Sequence, residues 1–149
     1  TGILCCWQTQ QEVTRMSHTF RTPITLRWSD LDAFNHINNA RYLTFLEQAR
    51  IEWFETIGEA WVTKDSAPVV ASATLNFKRP IEYPASVFVE LFTERLGTTS
   101  VVIGHRIVAA DGTLHCDGSV AAVWIDRHSG KPTALPAAVR RASERLLPA

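Results

Sequence analysis

The most regular alternation of apolar and polar residues lies between Asn39 and Ile57, and it has the period of an α-helix. The chain contains neither glycine nor proline from Ile24 to Ile57, Asn38 and Asn39 are favourable N-cap residues, and Gly58 is a favourable stop. We therefore predict a helix over about 39–57. At about 100° per residue its apolar side covers roughly half of the surface, which favours a curved layer wrapped around the helix. The members of this apolar arc are Tyr42, Leu43, Phe45, Leu46, Ala49, Trp53, Phe54 and Ile57.

One charged residue, Arg50, falls inside the apolar arc of the predicted helix. A guanidinium in that position needs an acceptor or must extend to solvent. Glu47, one turn earlier at the edge of the arc, is the nearest candidate within the helix.

Runs rich in Val, Ile, Thr and Phe predict β-strands on both sides of the helix. The four strands after Pro68 are separated by short turn signals, which indicates antiparallel neighbours, and Asp111-Gly112 is typical of a hairpin turn. A first strand that contains Pro23 is expected at an edge or with an irregular start, and a short helix is predicted over 137–147. The predicted fold class is α+β, with one long helix on one antiparallel sheet. The predicted strands are Thr19–Trp28, Val69–Lys78, Ser86–Glu94, Ser100–Ala109 and Thr113–Ile125.

Length and charge exclude several classes of protein. The chain has 149 residues, of which 46% are hydrophobic and 20% charged, as expected for one folded domain. Fifteen basic residues balance fifteen acidic ones, and this lack of surplus positive charge argues against a nucleic-acid-binding protein. No apolar run approaches the roughly 20 residues of a membrane span. Three cysteines do not form a disulfide framework, so we expect a reducing, cytoplasmic compartment.

The first fifteen residues differ in composition from the rest, and Met16 is the only methionine. We interpret residues 1–15 as an upstream extension or an expression remnant, and residues 16–149 as a single domain. A genuine N-terminal arm that packs on the domain is the alternative.

The densest cluster of polar side chains lies in the loop before the long helix. A helix N-terminus presents unpaired N–H groups and the positive end of the helix dipole, so it is a favourable place for an anion. A carboxylate beside such N–H groups suits acyl transfer, because the carboxylate attacks or activates water while the amides stabilise the oxyanion. On composition alone, Asp30 and Asp32 are equally well interpreted as turn residues and the asparagines as caps. The loop contains Ser29, Asp30, Asp32, Asn35, His36, Asn38 and Asn39.

Other residues with possible chemistry are better explained by structural roles. His105 and His115 lie in strand patterns, where we expect them to be exposed or hydrogen-bonded, and Cys116 is expected in the core. The chain has no Gly-x-Ser-x-Gly elbow and no glycine-rich phosphate loop. No cysteine has metal-ligand spacing with a histidine. We expect neither a metal nor a cofactor.

The segment RWSDLDAFNHINNARYLTFLEQAR, residues 27–50, resembles the signature of hotdog-fold acyl-CoA thioesterases of the 4-hydroxybenzoyl-CoA thioesterase type. Its Asp-x-x-x-His-x-Asn-Asn-Ala-x-Tyr-Leu run is similar to the branch that includes bacterial long-chain acyl-CoA thioesterases, and NFKRPIEYP, residues 76–84, resembles the strand and turn that follow. The resemblance implies the hotdog fold, in which an antiparallel sheet wraps a long central helix. It also marks Arg50 as part of the Glu-x-Ala-Arg feature of that branch.

The resemblance also implies roles for particular residues. Asp32 would be the catalytic carboxylate, and the backbone N–H at Asn39 would polarise the thioester carbonyl. Family members bind substrate across a dimer interface, so we expect a homodimer or homotetramer in which the partner's strands complete each site. The remaining expected substrate contacts are His36, Asn38 and Tyr42 in the motif, and Thr98 and Ser100 in a turn between strands.

The expected reaction is hydrolysis of an acyl-CoA thioester, with a fatty acyl group favoured by the resemblance. Asp32 acts either as nucleophile or as general base on water, and the sequence leaves both open. Two alternative functions are a hotdog hydratase or dehydratase for enoyl or 3-hydroxyacyl thioesters, and a non-catalytic module that binds acyl thioesters.

Overall fold

A single long helix forms where the periodicity predicts it. The computed structural model describes residues 18–149, and its helix α1 extends over Asn39–Glu55. The side chain of Asn38 caps α1 by accepting a hydrogen bond from the Ala40 N–H at 2.9 Å. The helix ends two residues before the predicted boundary, and Gly58 follows it with a φ of +71°.

Five antiparallel strands form one sheet in the order β1-β3-β4-β5-β2. A short 3₁₀ turn at Trp28–Asp30 replaces the end of the predicted first strand, and Pro23 lies in edge strand β1, as expected. A second helix, α2, covers Ala137–Arg145. The α+β class is confirmed. The strands are β1 Phe20–Ile24, β2 Ser66–Phe77, β3 Val87–Leu96, β4 Ser100–Ala109 and β5 Leu114–Asp126.

The expectation that successive strands are neighbours is wrong for β2 and β3. β2 pairs with β5, and the connecting residues 78–86 pass from one edge of the sheet to strands near the other. This connection is held in place by the loop before α1, because Ile37 N–H donates to the Ile81 carbonyl at 2.8 Å and Ile81 is fully buried. Tertiary contacts therefore outweigh the tendency of strands joined by a short connection to pair with each other.

The core lies between α1 and one face of the sheet. Alternate residues are buried over most of β3, β4 and β5. Cys116 is fully buried, as predicted. His105 is also buried, so the expectation that it is exposed is wrong, and its Nε2 has no hydrogen-bond partner among residues 18–149. The largest fully buried apolar side chains are Trp124, Tyr42, Ile37, Leu46, Ile81, Leu91, Ile103 and Ile107.

Strand β2 is the part of the sheet that α1 leaves uncovered. Val70 and Phe77 pair with the buried Ala122 and Cys116, and residues opposite each other in antiparallel strands face the same side. Both nevertheless remain about half exposed, at 53% and 48%. Leu43, expected in the buried arc, is 44% exposed. We refer to the cavity between α1 and β2, whose walls include Ile51, Phe54, Val69 and Val70, as the α1–β2 groove.

Among residues 18–149, no helix is long and apolar enough to cross a membrane. The predicted extension at residues 1–15 lies outside the described residues.

Candidate active site

Asp32 is held in a tight loop between β1 and α1. Its Oδ1 accepts hydrogen bonds from the backbone N–H groups of Phe34 at 2.8 Å and His36 at 3.2 Å. The backbone closes the same loop, because Asp32 N–H donates to the His36 carbonyl at 2.7 Å, and Asn35 adopts a φ of +62°, which asparagine tolerates. Its other oxygen, Oδ2, accepts no hydrogen bond from residues 18–149. The loop therefore fixes the carboxylate and leaves one oxygen available.

Asp30, two positions earlier, has a structural role. It is fully buried, and its carboxylate accepts bonds from the Arg27 backbone N–H at 2.9 Å and the Arg27 guanidinium at 3.0 Å, with Arg41 at 3.5 Å. Burial raises the pKa of Asp30, but the hydrogen bonds and charges of the two arginines outweigh it and hold this pKa below its ordinary value. Its backbone carbonyl accepts from Asn38 N–H at 2.8 Å, which ties the loop to the start of α1.

The start of α1 presents a free backbone amide beside the loop. Asn38 N–H is bonded to Asp30, and Ala40 N–H is bonded to the Asn38 side chain. The N–H of Asn39, between them, has no acceptor within residues 18–149, as expected for the first turn of a helix. It is therefore available to an oxygen that carries negative charge.

The carboxylate and the start of the helix open onto one cavity of about 480 Å³. This cavity brings together four of the predicted site residues, which are Asp32, His36, Asn39 and Tyr42. Asn38 lies beside it as the helix cap and not in its wall. The other residues of the wall are Phe34, Ile37, Phe77, Lys78, Arg79 and Pro80.

The inner wall of the cavity is aromatic and uncharged. Tyr42 is 2% exposed and packs edge-on against Phe77, with the ring centroids 5.0 Å apart. Burial raises the pKa of the Tyr42 hydroxyl, so it stays protonated at neutral pH. Cys116, paired with Phe77 in the sheet, has its pKa raised to about 11 by burial. A neutral buried thiol is a poor nucleophile.

Six residues of the cavity wall were not assigned a role from the sequence. Phe34 is 80% exposed at the tip of the loop, and Lys78 and Arg79 supply positive charge at the rim. Lys78 is 3.8 Å from Asp117, whereas Arg79 makes no ion pair among residues 18–149. The sequence NFKRP could have indicated this positive charge, because two adjacent cationic residues, Lys78 and Arg79, follow an otherwise uncharged strand.

Thr98 and Ser100 lie at the opposite end of the sheet from this cavity. Ser100 pairs with Val123, and Phe77 pairs with Cys116, seven residues earlier on β5. That offset corresponds to about 23 Å along the strand. Within one chain these two residues do not reach the cavity, so their role in a partner's site stays a prediction.

The arrangement is suited to reactions at an acyl carbonyl. A carboxylate oxygen and an unpaired amide N–H share one cavity, so a carbonyl carbon between them can be attacked while its oxygen is stabilised. Among residues 18–149, no group of three His, Cys, Asp or Glu side chains is placed to hold a metal ion.

Comparisons with known proteins agree with this chemistry. The family model described as "Thioesterase-like superfamily" matches residues 26–143. The chain is 30% identical to the long-chain acyl-CoA thioesterase FadM of Escherichia coli, over 85% of this chain and 98% of that protein. It is 29% identical to the acyl-CoA thioester hydrolase YbgC of Escherichia coli, over 80% of this chain and 92% of that protein.

A similar fold is found in a crystal structure of a thioesterase from Thermus thermophilus, complexed with coenzyme A and Zn. Its sequence is 32% identical to this chain, and the TM-score is 0.74. The match covers 89% of this chain and 96% of that one.

Proposed function

The chain belongs to the thioesterase-like superfamily, and from that premise we propose that it hydrolyses fatty acyl-CoA thioesters to the free acid and CoA. The observation that carries the proposal is the shared cavity, which is lined by both Asp32, with a free Oδ2, and Asn39, with a free N–H. The relatives named as acyl-CoA thioesterases support the same substrate class.

In the proposed reaction, Oδ2 of Asp32 is the reactive oxygen. As nucleophile it attacks the thioester carbonyl, the C–S bond breaks, CoA leaves as the thiol after taking a proton, and water then cleaves the mixed anhydride. As general base it takes a proton from the water that attacks the carbonyl directly. The Phe34 and His36 amides fix the other oxygen, so the side chain is oriented for either route.

The Asn39 amide is the proposed oxyanion donor. The carbonyl oxygen gains negative charge as the tetrahedral intermediate forms, and a pre-positioned N–H is worth about 3 to 4 kcal/mol at that stage. The dipole of the seventeen-residue helix α1 adds to this stabilisation. Asn38 contributes by capping Ala40 and so keeping the first turn in place.

The two ends of the substrate have different surroundings. We assign the apolar acyl chain to the α1–β2 groove, because the same helix and strand contribute Tyr42 and Phe77 to the cavity. Lys78 and Arg79 at the rim supply the local positive charge that the phosphates of CoA require in a chain of zero net charge. His36 shapes the loop through its backbone and lines the cavity.

We also propose that the working unit is a homodimer or homotetramer with active sites at the subunit interface. The support is that the cavity wall is open on the side of β2, where Phe77 is 48% exposed. A partner that covers this side would enclose the acyl chain. Thr98 and Ser100 of the partner subunit remain the predicted additional substrate contacts.

A thiol-release assay over acyl-CoAs of increasing chain length tests the function. We expect hydrolysis that rises from short to fatty acyl chains, because the groove buries more apolar surface with each carbon. Crotonyl-CoA hydration is the control for the hydratase alternative. Thiol release with none of the acyl-CoAs, or hydration without hydrolysis, would refute the proposal.

Single-turnover hydrolysis in ¹⁸O water separates the two routes for Asp32. Label that enters the enzyme's carboxylate identifies the mixed anhydride, and label found only in the free acid identifies general-base catalysis.

A further inference from the structure

Arg50 is a buried cation in the wall of the α1–β2 groove, the cavity of about 380 Å³ to which we assign the acyl chain. Arg50 is only 8% exposed, and its Nη1 is buried without a hydrogen-bond partner among residues 18–149. Burial lowers the pKa of Arg50, but a guanidinium stays charged in a protein. A buried charge without an acceptor is costly, so we expect the groove to receive a molecule that carries one.

The neighbouring polar side chains do not supply this acceptor. Glu47, the candidate from the sequence, is exposed and lines the same groove, but it forms neither a hydrogen bond nor an ion pair with Arg50. His105 is close enough for the charge of Arg50 to lower its pKa, yet its own Nε2 also lacks a partner in the described part of the chain. The ion pair expected from the sequence is therefore absent, and Arg50 is available to a ligand.

The rest of the groove wall is apolar. Among residues 18–149, Arg50 and Glu47 are the only charged side chains that line it, and the others are hydrocarbon or aromatic, such as Val70 and Phe54. A ligand that fits is therefore mostly hydrocarbon and carries one polar group. A carboxylate would be repelled by Glu47, whereas a hydroxyl suits both charges, because it accepts from a guanidinium and donates to a carboxylate.

The place of Arg50 on α1 determines where that hydroxyl lies on the acyl chain. The proposed oxyanion donor, Asn39, is the first residue of α1, and Arg50 lies about 17 Å further along the helix axis. A long side chain on a helix leans back toward the N-terminus, so the guanidinium is somewhat nearer to the thioester than this distance. An extended acyl chain of about dodecanoyl length therefore meets Arg50 near its far end and not at the carbons beside the thioester.

We propose that the α1–β2 groove selects fatty acyl groups with a hydroxyl near the far end of the chain, which accepts from Arg50 and donates to Glu47. The inference rests on the proposed hydrolysis of fatty acyl-CoA and names the acyl group. An unsubstituted chain would leave the guanidinium unpaired beside hydrocarbon, and this penalty supplies the discrimination. Arg50 is then a specificity-determining residue that contacts the substrate far from the reacting atoms.

A comparison of acyl-CoAs of one chain length is the direct experiment. In the wild type, kcat/KM for ω-hydroxydodecanoyl-CoA should exceed that for dodecanoyl-CoA by about 10-fold or more, as expected for a hydrogen bond from a charged donor. β-Hydroxydodecanoyl-CoA, whose hydroxyl lies beside the thioester, should show no such gain. Dodecanedioyl-CoA, which ends in a carboxylate, should show none either, because Glu47 lines the same groove.

Three variants assign the preference to the two charges. Arg50→Met keeps an unbranched side chain without the charge and should abolish the preference for the ω-hydroxyl group. Arg145→Met, the same change at an exposed position on α2, is the matched control and should keep the wild-type preference. Glu47→Gln, also at an exposed position, removes the repelling charge and should raise kcat/KM for dodecanedioyl-CoA relative to dodecanoyl-CoA. If Arg50→Met fails to fold, Glu47→Gln decides.

Calorimetric binding of the free acids separates this inference from the proposed hydrolysis. ω-Hydroxydodecanoate should bind the wild type more tightly than dodecanoate, and Arg50→Met should remove the difference, whether or not the protein hydrolyses acyl-CoA. Where hydrolysis is observed, equal kcat/KM for the two chains would overturn the inference, and where none is observed, equal affinity for the two acids would do so. A preference that persists in folded Arg50→Met, or a variant that changes only the oligomeric state, would also overturn it.

Discussion

At the scale of single residues, two aspartates separated by one leucine have opposite surroundings. Asp30 is buried between Arg27 and Arg41, whereas Asp32 is half-buried with one oxygen held by backbone amides. The resemblance of the motif to the thioesterase signature predicts Asp32 as the catalytic carboxylate, and this assignment stays a prediction. The sequence could not show why Asp30 is unsuitable, because its ion pairs depend on how the loop folds against the start of α1.

A second buried titratable residue, His105, makes stability depend on pH. Burial, with the nearby charge of Arg50 adding to it, lowers the pKa of His105 to about 4. The unfolded chain binds a proton at this site below an ordinary pKa of about 6.5, whereas the folded chain does so only near 4. The unfolded state therefore binds more protons between these values, so the free energy of unfolding should fall as pH is lowered from about 6.5 to 4, by about 3 kcal/mol.

Urea unfolding at several pH values measures this effect. In His105→Gln, the free energy of unfolding should depend less on pH between about 6.5 and 4. In His18→Gln, a change at an exposed position, the dependence should equal that of the wild type. A wild-type slope in His105→Gln would show that other groups cause the pH dependence.

At the scale of elements, the helix cap links stability to the position of the oxyanion donor. Asn38→Ala removes the acceptor of the Ala40 N–H and should lower the free energy of unfolding by about 1 kcal/mol. Thermal or urea unfolding gives the value. Asn39→Ala, whose side chain is exposed and whose amide is retained, should leave stability unchanged. Equal losses in both variants would refute the capping role of Asn38.

The local pattern of the sequence was sufficient to predict most helices and strands of this fold. The long helix follows from its apolar period and its cap, and the β4 prediction, Ser100–Ala109, agrees with the structure at both ends. The first strand was predicted too long, because residues 25–30 leave the sheet for a 3₁₀ turn that Asp30 and Arg27 stabilise. That contact depends on an ion pair between the exposed Arg27 and the buried Asp30, which hydrophobic periodicity does not report.

At the scale of the whole molecule, the order of the strands in the sheet could not be predicted from the sequence. β2 lies at the far edge beside β5 because residues 78–86 are anchored at Ile81 by the loop before α1. This placement brings Phe77, Lys78 and Arg79 to Asp32 and leaves the apolar edge of β2 open. The complete cavity follows from this one crossing, which no local pattern in the chain indicated.

The central claim is that the free oxygen of Asp32 carries the hydrolysis, and the most direct measurement is kcat/KM for a fatty acyl-CoA in Asp32→Asn and Asp30→Asn. The account predicts that Asp32→Asn loses about 10²- to 10⁴-fold in kcat/KM with an unchanged unfolding midpoint. Asp30→Asn should instead lose about 1 to 3 kcal/mol of stability and keep most of its activity while folded. Near wild-type turnover in a folded Asp32→Asn enzyme would contradict the account.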